Sequence, residues 1–196
     1  MKEIEVKLKV DDVPRMRRQL QEDGFELVRD RVFEDNWLFD FPSRALRESS
    51  SLLRLRKSGD HFIITFKDPP ERNLRYKVRE EIQTEVAGGE TVRCIFRKLG
   101  LEETFRYQKY RTEFRVTGDS RGHVLLDETP IGTFLELEGA PDWIDQVAAR
   151  LGFSSRDYLL KSYATLFLES CPGQEIQEHG MVFDPALADP KTIRIG

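Results

Sequence analysis

Residues 3–10, EIEVKLKV, put Glu3, Glu5, Lys7 and Lys9 on one parity and Ile4, Val6, Leu8 and Val10 on the other. A period of two is what a β-strand produces, because successive side chains point to opposite faces. A solvated strand face ordinarily mixes hydroxyls, amides and charges. This one carries two acids and then two bases, so it is either wet or lining something.

The pattern recurs along the chain. Arg54 and Arg56 share a parity beside Leu53 and Leu55, and Lys67 follows Thr65 and Ile63. Arg75, Lys77, Arg79 and Glu81 alternate with Tyr76, Val78 and Ile82, Lys109, Arg111, Glu113 and Arg115 with Tyr110 and Phe114, and Glu136 and Glu138 with Leu135 and Leu137. Seven further strands are thus expected, over VFEDNWLFD, LLRLRKS, HFIITFKDP, RYKVREEIQTEV, FRYQKYRTEFRV, HVLLDE and TFLELEG. Short turns such as SGD and TPIG join several of them, which predicts antiparallel pairing. Eight antiparallel strands can close into a barrel wide enough for side chains or one small ligand.

Three helices are expected between the strands. DDVPRMRRQLQEDGFE, GGETVRCIFRKLGLE and APDWIDQVAARLGFS each end in glycine followed by a large apolar residue, a Schellman-type stop, and Pro14 and Pro141 suit first turns. A fourth helix is expected over SRDYLLKSYATLFLES. These helices need an apolar surface, so the aliphatic strand faces must point outward to meet them and the charges inward, around a hydrated tunnel. The alternative is a set of solvated faces with cross-strand ion pairs. The expected class is α+β: an eight-stranded antiparallel closed barrel with helices packed outside.

Composition sets further bounds. The 196 residues, 39% hydrophobic and 34% charged, suffice for one domain with a core. A net charge of -4 argues against a nucleic-acid partner met by an overall basic surface. With no apolar run near 18 residues and no signal-like opening, a cytoplasmic location without membrane attachment is expected. Cys94 and Cys171 lack metal or redox spacing, and His61, His123 and His179 form no ligand cluster. The barrel domain is expected over 1–170 and a tail over 171–196. The tail's Met181, Val182, Phe183, Leu187, Ile193 and Ile195 predict docking on the barrel of the same chain, the surface of a second protomer being the alternative; monomer and homodimer are both open.

Clustered Arg and Lys suit phosphates, and carboxylates at i and i+2, as in Glu3/Glu5 and Glu136/Glu138, offer hard oxygen ligands to Mg²⁺ or Mn²⁺. The two belong together in polyphosphate chemistry. No G-x-x-x-x-G-K-[ST] or G-x-G-x-x-G loop competes with this reading.

The E-x-E-x-K of Glu3, Glu5 and Lys7, the L-R-L-R of Leu53 to Arg56, T-F-K at Thr65 to Lys67, K-x-R at Lys109 to Arg111, L-D-E-x-P-x-G at Leu126 to Gly132 and E-L-E at Glu136 to Glu138 resemble, in order, the CYTH superfamily of triphosphate tunnel metalloenzymes. That family includes class IV adenylate cyclases, thiamine triphosphatases and inorganic triphosphatases. The resemblance implies a small-molecule triphosphate substrate and an Mg²⁺ or Mn²⁺ cofactor. It implies metal ligation by Glu3, Glu5, Asp127, Glu136 and Glu138, and phosphate binding by Lys7, Lys9, Arg54, Arg56, Lys67, Arg79, Lys109, Arg111 and Lys161. Glu5, Lys7 and Glu138 are the expected catalytic residues. Gln83 stands where a second acid of an R-x-E-x-E pattern would be expected, with Glu81 before it.

Hydrolysis by water at the terminal phosphate is the expected reaction. Cyclisation of ATP to cyclic AMP and pyrophosphate remains open, as does a binding module without turnover. A cyclase would need a base pocket at the tunnel mouth, for which Trp37, Phe39 and Phe41 are the stacking candidates.

Overall fold

The computed structural model describes residues 2–73, 75–170 and 180–184. The chain runs β1 (Lys2–Val10), α1 (Val13–Glu22), β2 (Phe25–Asp40), α2 (Ala45–Glu48), β3 (Leu52–Ser58), β4 (His61–Lys67), β5 (Lys77–Val86), α3 (Gly89–Lys98), β6 (Glu102–Val116), β7 (Gly122–Thr129), β8 (Gly132–Gly139), α4 (Pro141–Arg150), a 3₁₀ turn (Ser155–Asp157) and α5 (Tyr163–Ser170). The eight strands close into an antiparallel barrel in the order β1-β5-β4-β3-β2-β6-β7-β8.

The strand faces are turned as the helices require. Val6, Leu8 and Val10 of β1 and Leu135 and Leu137 of β8 join Met16 and Leu20 of α1 and Trp143, Ile144 and Val147 of α4 in the largest apolar cluster, outside the barrel. On another flank, Trp37, Phe39 and Leu55 pack with Val92 and Phe96 of α3. Local signals fix the helix ends. Asp12 Oδ1 accepts from the Arg15 N–H at 2.9 Å as the N-cap of α1. At the end of α4, Gly152 takes a φ of +87° and the Phe153 N–H donates back to the Ala148 carbonyl at 2.9 Å, the Schellman closure. A pair of facing glycines, Gly122 and Gly139, serves close approach: a Cβ on either would meet the Trp143 ring, at 2.5 and 2.9 Å, so the bare β7–β8 ladder lets α4 seat on it.

Apart from strand ends that shift by two or three residues, as at Lys77 of β5 and Glu102 of β6, three details depart from the sequence expectations. β2 begins at Phe25 rather than Val32, its register shifting between Leu27 and Arg29 and between Arg29 and Val32, and such irregularities hide the two-residue period. The expected fourth helix starts at Tyr163: Ser154 caps only a 3₁₀ turn, after which the backbone is extended at Tyr158 and Leu159 bridges to Lys7. The four-residue α2, with Arg44 in the left-handed region before it, carries no periodic pattern to announce it.

Of the tail, residues 180–184 run beside β6, where Met181 is fully buried among Phe105, Tyr107, Phe134, Tyr163 and Phe167. The expectations for Cys171, His179, Leu187, Ile193 and Ile195 lie outside the described residues. No helix among the described residues is long and apolar enough to cross a membrane.

Candidate active site

The barrel register brings distant charges together. Glu5 of β1 faces Glu138 of β8 on one side and Lys77 of β5 on the other, Lys7 faces Glu136, and Glu3 faces Arg79. Lys67 lies across from Glu81, Arg111 across from Asp127, Glu34 across from Lys109, and Asn36 across from both Arg56 and Tyr107. The interior is a cavity of about 1010 Å³ lined by groups of both signs.

At one place the acids dominate. Carboxylate oxygens of Glu3, Glu5 and Glu138 lie within 4.8 Å of one another. Glu5 is steadied by Lys7 at 3.2 Å and by Lys77, and Glu3 by Lys67 at 2.6 Å. Burial acts to raise the Glu5 carboxyl, but Lys7 and Lys77 outweigh it and hold it well below the usual carboxylate range. The Glu138 carboxylate has no cation within ion-pairing distance and no side-chain hydrogen bond among the described residues. Burial pushes its carboxyl up to about 7; Arg111 opposes that rise, and Glu136, Glu3 and Glu5 add to it. Burial and Glu5 likewise raise Glu3. Three hard oxygen donors converge here without enough positive charge, the chemistry that a divalent cation of the Mg²⁺ or Mn²⁺ type satisfies.

Further along, cations dominate. Lys7 Nζ also pairs with Glu136 at 3.1 Å; burial works against its charge, but Glu136 and Glu5 hold its pKa above the ordinary lysine value. Arg54 donates to Thr65 Oγ1 at 3.1 Å and the Tyr107 hydroxyl at 3.3 Å, its nearest carboxylate being Glu81 at 3.9 Å, and its Nε is buried without a partner. Arg56 donates to Asn36 at 3.0 Å and Glu34 at 3.3 Å, while Arg79 reaches the Ser50 carbonyl at 3.0 Å and leaves its Nε buried without a partner. Lys109 and Arg111 converge on Asp127, at 2.7 Å each, and Arg111 also holds Glu136.

The sequence-predicted residues are therefore distributed unevenly. Glu3, Glu5 and Glu138 cluster, and Lys7, Arg54, Arg56, Lys67, Arg79, Lys109, Arg111 and Glu136 line the same cavity, as does Gln83. Asp127, expected among the metal ligands, stands apart: it is fully buried, and its oxygens are taken by Lys109, Arg111 and the Tyr163 hydroxyl at 2.8 Å. Glu136 is likewise held by Lys7 and Arg111 outside the three-acid cluster. Lys9, on the charged parity, is exposed near the end of β1 and does not line the cavity. Lys161 is exposed and pairs with Glu169 at 2.8 Å.

Sequence reasoning overlooked Glu34, Asn36, Lys77, Tyr107 and Tyr163 as site residues. Glu34, Asn36 and Leu38 share one parity of β2 while Phe33, Trp37 and Phe39 take the other, so the signal was present. Trp37 and Phe39 pack outside against α3 and Phe41 lies past the end of β2, so none of the three supplies a stacking surface to the tunnel. The aromatic rings lining the cavity among the described residues are those of Tyr107 and Tyr163, whose hydroxyls are held by hydrogen bonds, and the imidazole of His123, which lies 2.6 Å from a Glu113 carboxylate oxygen.

Comparison with known proteins agrees with this geometry. The family model for the CYTH domain matches residues 1–163. A Methanocaldococcus jannaschii protein named "putative adenylate cyclase" is 30% identical over 176 residues, covering 85% of this chain and 98% of that protein. Among solved structures, one of the same name from Vibrio parahaemolyticus superimposes with a TM-score of 0.74 at 20% identity, over 84% of this chain and 97% of its own. A Hippeastrum protein described as a "putative adenylyl cyclase" with a dominant triphosphatase activity superimposes at 0.62 and 16% identity, over 90% of this chain and 99% of its own. At those identities the two structures speak to the fold alone.

Proposed function

The chain belongs to the CYTH domain family, and we propose from that premise that it is a metal-dependent enzyme cleaving a phosphoanhydride bond of a triphosphate-bearing substrate with water. One observation carries the reading: the tunnel is polarised, with three converging carboxylates of which Glu138 is unpaired, beside cations of which Arg54 and Arg79 keep buried, unpartnered N–H groups. A tunnel whose charges only paired among themselves would not leave an acid of its carboxylate cluster without a cation.

Glu3, Glu5 and Glu138 would hold the cation, which when bound neutralises phosphate charge and polarises the phosphoryl group. Arg54, Arg56, Lys67, Lys109 and Arg111 bind the phosphate chain, the guanidiniums by two-donor forks. Lys7, kept charged by Glu5 and Glu136, steadies the phosphoryl oxygens of the group under attack. Glu138 accepts a hydrogen bond from the attacking water and orients it. The water oxygen forms the new bond to the terminal phosphorus, the bridging P–O bond breaks with its electron pair going to the departing phosphate oxygen, and the water's proton passes through Glu138 to solvent.

Cyclisation would need a nucleobase and ribose held in register with the α-phosphate. The faces of the two lining tyrosines already have partners, Lys7 and Lys109 each 5.2 Å from the Tyr163 centroid and Phe105 stacked 6.2 Å from Tyr107, which favours the reaction that needs no base. The test is one assay with Mg²⁺ or Mn²⁺ offering tripolyphosphate, ATP and thiamine triphosphate and resolving phosphate, pyrophosphate and cyclic AMP. Phosphate release is expected; cyclic AMP as the main product would select the cyclase, and binding without turnover the non-catalytic module.

A further inference from the structure

We propose that residues 180–184 form part of the tunnel wall, with Met181 as a positioning residue that seats the tyrosines holding Arg54 and Asp127. On its β7 side, β6 is paired with β7 from Tyr110 to Phe114, while its earlier residues pair only with β2. The tail supplies what that edge lacks: the Met181 N–H donates to the Arg106 carbonyl at 2.9 Å and the Gln108 N–H to the Met181 carbonyl at 2.8 Å, a parallel bridge at Tyr107. The Phe183 N–H adds a bond to Gln108 Oε1 at 3.1 Å, and its ring lies 5.3 Å from that of Tyr110.

The bridge places the Met181 side chain, fully buried, in one cluster with Tyr107 and Tyr163, whose rings are 6.3 Å apart. Each ring ends in the tunnel: the Tyr107 hydroxyl accepts from Arg54, and the Tyr163 hydroxyl donates to the carboxylate that gathers Lys109 and Arg111. Lys7 and Lys109 each lie 5.2 Å from the Tyr163 centroid. A close-packed interior transmits the loss of a side chain to its neighbours, so removing Met181 lets both rings turn and releases the cations they aim. Gly180 is what permits the approach: its φ is +52°, and any Cβ there would run into the Arg106 carbonyl oxygen.

The binding half of this inference rests on the polyphosphate reading. The experiment compares wild type, Met181→Ala, Met181→Leu and Gly180→Ala by calorimetry with tripolyphosphate and Mg²⁺, together with NMR of ¹³C-labelled tyrosine rings in the metal-free proteins. Met181→Ala and Gly180→Ala are expected to weaken tripolyphosphate about tenfold and to shift the Tyr107 and Tyr163 ring signals, while Met181→Leu stays near wild type because its volume is similar. A folded Met181→Ala protein with wild-type affinity and unmoved ring signals overturns the proposal, even if its melting temperature falls. Should wild type itself bind no tripolyphosphate, the polyphosphate reading fails, and the ring signals alone decide whether Met181 positions the tyrosines.

Discussion

Replacing Asp127 by Asn separates a structural acid from a metal-binding one. In the folded protein Asp127 is fully buried and accepts charge-assisted bonds from Lys109 Nζ and from Nε and Nη2 of Arg111, each at 2.7 Å, as well as one from the Tyr163 hydroxyl at 2.8 Å. Bonds to charged groups contribute about 1.5 to 3 kcal/mol each. The three cation contacts would exceed that range together if nothing else faced the cations. Glu136 and Glu34 still do, with Arg111 holding Glu136 and Lys109 lying 3.8 Å from Glu34, so the loss falls to the roughly 3 to 5 kcal/mol typical of breaking a buried pair. For a chain of this size that is a drop of about 6 to 20 °C in melting temperature. Tripolyphosphate at about 100 times its Kd would restore about 2.7 kcal/mol by mass action. The assay is urea unfolding of wild type and Asp127→Asn, paired with calorimetric titration of Mn²⁺ into both. The reasoning requires a large stability loss with Mn²⁺ affinity unchanged within about twofold. A variant as stable as wild type that had lost Mn²⁺ affinity tenfold would refute it and restore Asp127 to the metal site.

Three further predictions follow from the same charges. Glu138→Gln removes a carboxyl that burial pushes up to about 7 and that no cation pairs, so the metal-free variant is at least as stable as wild type, with the gain growing as pH rises from about 4.5 through 7, while Mn²⁺ affinity and turnover fall at least tenfold; urea melts, calorimetry and phosphate release check these. Arg54→Lys keeps the charge but loses the planar fork that reaches Thr65 and Tyr107, and tripolyphosphate should bind about tenfold more weakly, about 1.4 kcal/mol, by calorimetry. Burial acts to raise the Glu34 carboxyl, but Arg56, Lys109 and other cations hold it at about 2 against an ordinary 4.5. Its contribution to stability is therefore full above about pH 4.5 and lost as pH falls toward 2, so Glu34→Gln should flatten the pH dependence of unfolding across that window, as read by urea melts.

The barrel was legible because its charge pattern repeats on six of the eight strands and its helices end in glycine stops such as Gly152 with Phe153. What was lost lies where periodicity fails. The register shifts of β2 between Leu27 and Val32 mask seven strand residues, and the extended turn after Ser154 is locally indistinguishable from the start of a helix. Parity identifies which face a residue takes, not how far along the tunnel it stands, so Lys9 has the right parity and the wrong depth. Nor does a motif say which acids are already spent. Asp127 and Glu138 look equivalent in sequence, and the contacts of Lys109, Arg111 and Tyr163 alone tell them apart.

The central claim, cleavage of a polyphosphate in a metal-loaded tunnel, is tested most directly by ³¹P NMR of tripolyphosphate incubated with the intact protein in Mg²⁺ and in excess chelator. The account predicts equal amounts of orthophosphate and pyrophosphate growing in with Mg²⁺, and an unchanged substrate spectrum with chelator. Equal turnover in both samples, or an unaltered spectrum in both while tripolyphosphate still binds, would contradict it.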